Sequence, residues 1–143
     1  MEPGTSLVKK RMRVAMPISH FLFPSMGGAD SCVHNVATRL GARGLDPYIV
    51  IPYRTYRVLR RQALPYKLLS LPPLFSGAVA RSPEVGVWGL RKYFALLQRR
   101  YGFGFWHCTV GFPLGAAVIG FAESNGMKNR YLVRCCGDDI QKV

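Results

Sequence analysis

Hydrophobic positions fall into short continuous runs separated by stretches in which they recur every three or four residues. Val14-Ala15-Met16-Pro17-Ile18 is an apolar run that ends in polar and turn residues, the pattern of a strand covered on both faces. A glycine-containing loop from Ser19 to Ala29 follows it. Val33, Val36, Ala37 and Leu40 then fall at i, i+3, i+4 and i+7 and make one apolar helical stripe, with Asp30 or Ser31 placed to cap the first turn and Gly41 and Gly44 to end it. A second apolar run, Pro47 to Pro52, completes a strand, helix, strand unit, which implies a parallel sheet.

The stretch from Tyr53 to Ala63 predicts a loop or a short irregular helix, and Tyr66 to Ser70 a third strand stopped by Leu71-Pro72-Pro73. Ser82-Pro83-Glu84 is a helix start: a capping hydroxyl, a proline at the first helical position and an acid against the positive end of the dipole. That helix is predicted to run to about Tyr101 with Val87, Leu90, Phe94 and Leu97 inward, and Gly102 or Gly104 closing it. Phe105 to Cys108 reads as a fourth strand, Leu114 to Ser124 as a helix ended by Asn125-Gly126, and Arg130 to Cys135 as a fifth strand. The expected fold class is α/β: a three-layer Rossmann-like domain with a mainly parallel sheet over residues 13–143, behind a loose basic lead-in over residues 1–12. Loops at the carboxyl ends of the strands, beginning near Ser19, Tyr53, Leu71, Thr109 and Gly137, are where a ligand is expected.

Composition adds a partner class. The 143 residues suffice for one domain of ordinary size. Twenty Lys and Arg against seven Asp and Glu leave a net charge of +13, and with 49% hydrophobic residues the chain is too apolar for a disordered basic tail, so an anionic partner is expected. No apolar run reaches the roughly 18 residues of a membrane span, the richest stretch, Gly111 to Ala122, being short and broken by Pro113. Met1 to Arg13 is polar and basic with no apolar segment behind it, unlike a signal peptide, and the expected location is cytoplasmic. Cys32, Cys108, Cys135 and Cys136 lack the paired spacing of a zinc site and are expected to be buried thiols acting as small hydrophobes.

The candidate chemistry lies in the first loop, Pro24-Ser25-Met26-Gly27-Gly28-Ala29-Asp30, which opens directly into a helix. Paired glycines let backbone N–H groups approach a ligand closely, and a helix start adds free donors and partial positive charge suited to a phosphate. The alternative is that Gly27-Gly28 only makes a tight turn. Neither G-x-G-x-x-G nor G-x-x-x-x-G-K-[ST] occurs, which argues against a simple dehydrogenase or NTPase.

A first strand, Phe23-Pro24, Gly27-Gly28-Ala29-Asp30, the helix Val33 to Leu40, Gly44 and a second strand together resemble the amino-terminal half of family 4 glycosyltransferases of the GT-B fold. Phe105-Trp106-His107-Cys108-Thr109 resembles that family's His-containing fourth strand, and Leu132-Val133-Arg134-Cys135-Cys136-Gly137-Asp138-Asp139-Ile140 its later strand ending in Gly-Asp-Asp. The resemblance implies transfer of a sugar from a nucleotide-sugar donor to a sugar or lipid-linked acceptor, with retention and without a bound metal or other cofactor. It assigns Gly27 and Gly28 to the donor's phosphates or sugar, and His107 or Thr109 to the reacting sugar. Asp30, Arg134, Asp138 and Asp139 become cleft-lining residues. On residue type alone, a lone His at a strand end is also a common structural hydrogen-bonding group, and Asp138-Asp139 a common solvated turn.

The family's second, donor-binding domain carries a pair of spaced glutamates that this sequence lacks, because Glu2, Glu84 and Glu123 have Lys10, Lys92 and Tyr131 eight residues later. The expectation is the amino-terminal domain alone, as a fragment or truncated product, with little or no transferase turnover by itself. Clustered cations, Arg54, Arg57, Arg60 and Arg61 together with Arg91, Lys92, Arg99 and Arg100, suit anionic headgroups at the inner face of a membrane, as in peripheral-membrane members of the family. The competing reading is a non-catalytic α/β module whose basic loops hold an anionic partner, a lipid headgroup or nucleic acid; for nucleic acid no recognised motif accompanies the charge.

Overall fold

Alternation of buried runs and amphipathic stretches produces alternating strands and helices in the computed structural model, which describes residues 10–19, 28–73 and 81–134. The strands are β1 (Arg13–Pro17), β2 (Asp46–Ile51), β3 (Lys67–Ser70), β4 (Phe105–Cys108) and β5 (Tyr131–Val133). The helices among the described residues are α1 (Gly28–Ala42), α2 (Tyr53–Leu59), α3 (Pro83–Tyr101) and α4 (Ala116–Ser124). All neighbouring strands are parallel, in the order β3-β2-β1-β4-β5. The expected α/β class, with a parallel sheet covered by helices on both faces, is the observed one.

Each face of the sheet closes over its own core, because side chains along a strand point alternately to either side. On one face Ala15, Val50, Trp106 and Cys108 pack under Leu90, Phe94 and Leu97 of α3 and Val118 and Phe121 of α4. On the other Val14, Met16, Ile49 and Ile51 meet Val33 and Ala37 of α1 and Leu59 of α2. Continuous apolar runs in β1 and β2 are the sequence consequence of this two-sided burial.

α3 is built as its sequence specifies. Ser82 Oγ accepts from the Val85 N–H at 3.5 Å, Pro83 takes the first helical position, and Gly102 ends the helix at φ 63° and ψ 51° with its N–H on the Gln98 carbonyl. Gln98 then joins helix to sheet, since its Oε1 accepts from Trp106 Nε1 at 2.8 Å and its Nε2 donates to the Phe103 carbonyl at 2.9 Å. Arg13 Nη1 donates to the Tyr101 carbonyl at 2.7 Å, which fixes the end of α3 beside the start of β1.

Several boundaries move. α1 begins at Gly28, so Asp30 and Ser31 lie within its first turn rather than capping it; an acid there is favoured by the same unpaired amides. Tyr53 to Leu59 is a regular helical segment. The last helix starts at Ala116, two residues after Leu114, because Gly111–Gly115 forms an irregular turn with Phe112 extended (φ −138°, ψ 139°) and a cis Phe112-Pro113 bond. Cys108 is buried as expected, whereas Cys32 is only half-buried, being on the flank of α1 rather than its apolar stripe; Cys135 and Cys136 lie outside the described residues. No helix among the described residues is long and apolar enough to cross a membrane.

Phe94 is fully buried with its ring centroid 5.1 Å from that of Trp106. Phe94→Ala should cost about 3–5 kcal/mol, read as a lowered midpoint in urea unfolding with an unchanged slope.

Candidate functional site

The chain runs outward from β1 to β2 and β3, then returns to place β4 on the other side of β1. In an open parallel sheet the connections at such a reversal leave in opposite directions and leave a crevice at the carboxyl ends of the two strands. Here the crevice lies between the end of β1 at Pro17 and the end of β4 at Cys108, whose Sγ donates to the Pro17 carbonyl at 3.6 Å and to the Val110 carbonyl at 3.3 Å. The thiol thus serves as a small hydrogen-bonding filler at the base of the crevice.

His107 and Thr109 flank that thiol. By the alternation that sends Trp106 and Cys108 toward α3, His107 is directed to the face carrying α1, as Phe105 is. Its Nε2 is buried and finds no hydrogen-bond partner among the described residues. Thr109 is 3% exposed, and its hydroxyl is likewise buried without a partner. Two adjacent polar groups in this state are unusual, because an unpaired buried hydroxyl or ring nitrogen costs about 1–3 kcal/mol.

Burial lowers the His107 pKa below its ordinary value, and the positive charge of Arg134 lowers it further. The imidazole is therefore neutral at pH 7, with one nitrogen to donate and one to accept. Arg134 follows β5 directly; its backbone N–H donates to the Cys108 carbonyl at 2.8 Å, and its guanidinium reaches Cys32 Sγ at 3.6 Å. Cys32 is one turn into α1, so this contact holds the beginning of α1 over the ends of β4 and β5.

Gly28 opens α1 at the same rim. Its φ is not positive, and a Cβ added there would meet nothing within 4 Å among the described residues. Neither backbone conformation nor packing requires glycine at position 28, while Gly27, the other half of the pair, lies outside the described residues. Asp30 is 6% exposed and lies within the helix's first turn. Of the residues expected from sequence, the structure gathers Gly28, Asp30, His107, Thr109 and Arg134 at one edge, while Gly27, Asp138 and Asp139 lie outside the described residues.

Two contributors escaped sequence reasoning. Cys32 was expected only as a buried thiol, yet it is the group through which α1 meets Arg134. Gly115 has its Cβ direction blocked by the Val110 carbonyl oxygen at 2.5 Å and Val133 Cγ1 at 2.7 Å, so the turn after β4 folds tightly against β5 only because this residue has no side chain. A glycine at the presumed start of a helix was the one available signal.

A cleft of about 590 Å³ lies elsewhere, along β3, bordered by Tyr48, Tyr56, Arg60, Tyr66 and Lys67. Three of its polar side chains already serve the fold: Tyr66 Oη meets His34 Nδ1 at 2.9 Å, and Lys67 Nζ donates to Asp46 Oδ2 at 3.1 Å and to Tyr48 Oη. Burial pushes the Tyr66 pKa up to about 12, which keeps its hydroxyl neutral. The crevice at the strand ends, with its unpaired groups, is the stronger candidate. The chain matches no protein-family model, and no curated protein matches it at a significant level.

A histidine whose folded pKa lies below its unfolded value of about 6.5 takes up fewer protons in the folded state. Its contribution to stability is thus fully present above pH 6.5 and is lost as pH falls from there through the lower, folded value. His107→Asn should flatten this part of the profile, measured as the difference between the two proteins' unfolding free energies from pH 7.5 down to pH 5 in about half-unit steps.

Proposed function

We propose that this chain is the acceptor-side, Rossmann-like domain of a GT-B glycosyltransferase that moves a sugar from a nucleotide-sugar donor to a hydroxyl acceptor. The observation that carries the reading is the pair of buried groups, His107 Nε2 and the Thr109 hydroxyl, without a partner among the described residues at the crevice between β1 and β4. Sugar hydroxyls are both donors and acceptors, so a neutral imidazole and a threonine hydroxyl complement them without introducing charge at the anomeric centre. A leaving diphosphate needs the opposite environment. The guanidinium of Arg134 and the opening amides of α1 at Gly28 supply positive potential at the same rim.

In this reading Thr109 and His107 hold sugar hydroxyls, Arg134 and the Gly28 turn face phosphate, and Cys108 and Gly115 position the two loops. The order of motifs at successive strand ends, which resembles that of family 4 enzymes, supports the same assignment.

Saturation-transfer NMR of the full chain with nucleoside diphosphate sugars and with free glycosides tests it. Saturation should pass most strongly to the protons of the sugar ring, and binding should weaken when the diphosphate is absent. Thr109→Val, which removes a hydrogen-bonding hydroxyl, and Gly28→Ala, which places a methyl where the phosphate approaches the amides, should each weaken binding at least about tenfold. Stability should move the other way. Thr109→Val removes an unpaired hydroxyl and Gly28→Ala improves helix propensity, so each leaves the unfolding free energy unchanged or raises it by up to about 1 kcal/mol. Equal ligand binding by wild type and both variants, or destabilisation by both, would remove the basis for the assignment.

A further inference from the structure

We infer a membrane-contact surface on the outward face of α3, formed by Val85, Trp88, Lys92, Leu96 and Arg99 and fitted to an anionic lipid bilayer. The inference is independent of the sugar-transfer reading. At 3.6 residues per turn these five positions share a sector of roughly 80° that faces away from the buried Leu90, Phe94 and Leu97, along about 21 Å of helix. An ordinary surface helix carries polar groups there. Instead Val85 is 61% exposed, Trp88 60% and Leu96 51%, interleaved with exposed Lys92 and Arg99 and flanked by Arg100.

Charge completes the pattern. The only acid in α3 is Glu84, in the first turn and outside the sector. Arg91 is occupied elsewhere, donating to the Gly120 carbonyl at 3.3 Å and to Ser124 Oγ at 2.9 Å, and so ties α3 to α4. Lys92 Nζ sits 5.6 Å from the centre of the Trp88 ring, leaving an amphipathic indole and an ammonium side by side. Exposed aliphatic and indole side chains, interleaved with cations, match the boundary between acyl chains and anionic headgroups.

The other occupants fit less well. Two copies of this face would set Lys92, Arg99 and Arg100 against their own equivalents, at a net charge of +13 per chain. A nucleic acid would use the cations and the single indole but would leave Val85 and Leu96 facing phosphate.

The chain has a built-in reporter, because it contains two tryptophans and Trp106 is fully buried and hydrogen-bonded to Gln98. The full chain is incubated with phosphatidylcholine vesicles with and without phosphatidylglycerol, and partitioning is read by co-sedimentation, emission shift and quenching by brominated acyl chains. The expected result is binding that requires the anionic lipid, weakens with salt, and brings a blue shift and quenching of Trp88. Trp88→Ala and Lys92→Glu/Arg99→Glu should each reduce partitioning about tenfold or more with unchanged circular dichroism. Arg54→Glu/Arg57→Glu, on the exposed face of α2, controls for diffuse charge and should reduce it less than the α3 pair. Binding without Trp88 quenching, equal losses from the α2 and α3 pairs, or no binding would overturn the proposal. So would an α3-dependent dimer or α3-dependent retention by single-stranded nucleic acid with vesicles left unbound.

Discussion

The position of β1 at the centre of the sheet governs nearly everything else in this molecule. Flanked by β2 and β4 and buried on both faces, β1 must be apolar from Val14 onward, and Val14, Ala15 and Met16 divide between the two cores by simple alternation. Because all strands point the same way, every loop that leaves a strand end emerges at one edge, and because the chain reverses direction across β1, the loops after β1 and β4 diverge there. The crevice is a consequence of strand order, before any particular side chain is considered.

What makes the crevice chemically distinctive is a set of groups placed at some energetic disadvantage. Thr109 buries a hydroxyl, and His107 a ring nitrogen, without a partner among the described residues, while Arg134 holds a positive charge close enough to disfavour the imidazolium. A sequence selected for stability alone would resolve these conflicts with a valine or a paired amide. Their occurrence together, one residue apart across Cys108, contrasts with the cleft along β3, where Tyr66 pairs with His34 and Lys67 with Asp46. The difference between self-satisfied and unsatisfied polar groups, rather than the volume enclosed, separates a structural groove from a candidate site.

Local signals made much of the architecture readable. Ser82-Pro83 and Gly102 bracket α3 because cap chemistry and positive φ are properties of single residues, and Phe105 to Cys108 is a strand at its predicted bounds. Leu114 and Gly115 were expected inside the helix that begins at Ala116, since the shape of Gly111–Gly115 depends on Gly115 meeting Val110 and Val133, contacts that no periodicity encodes. The site divides the same way. Its rim was legible from the order of strands and loops, whereas the Cys32–Arg134 contact joins residues 102 positions apart, and the burial of Thr109 is set by tertiary packing rather than by its own residue type. The spacing of α3 already placed Leu90, Phe94 and Leu97 inward, as they are, and Trp88 falls outside that stripe.

The two proposed surfaces are related by the direction of α3. This helix connects parallel strands and therefore runs back against them. Its last turn sits beside the amino-terminal start of β1, where Arg13 bonds Tyr101, so its first turns, with Val85 and Trp88, lie toward the edge where the crevice opens. A bilayer seated on α3 would stand next to that rim rather than behind it. The excess positive charge would draw the same anionic surface that the indole and aliphatic side chains of α3 would anchor, whereas His107 is directed to the opposite face of the sheet, toward α1.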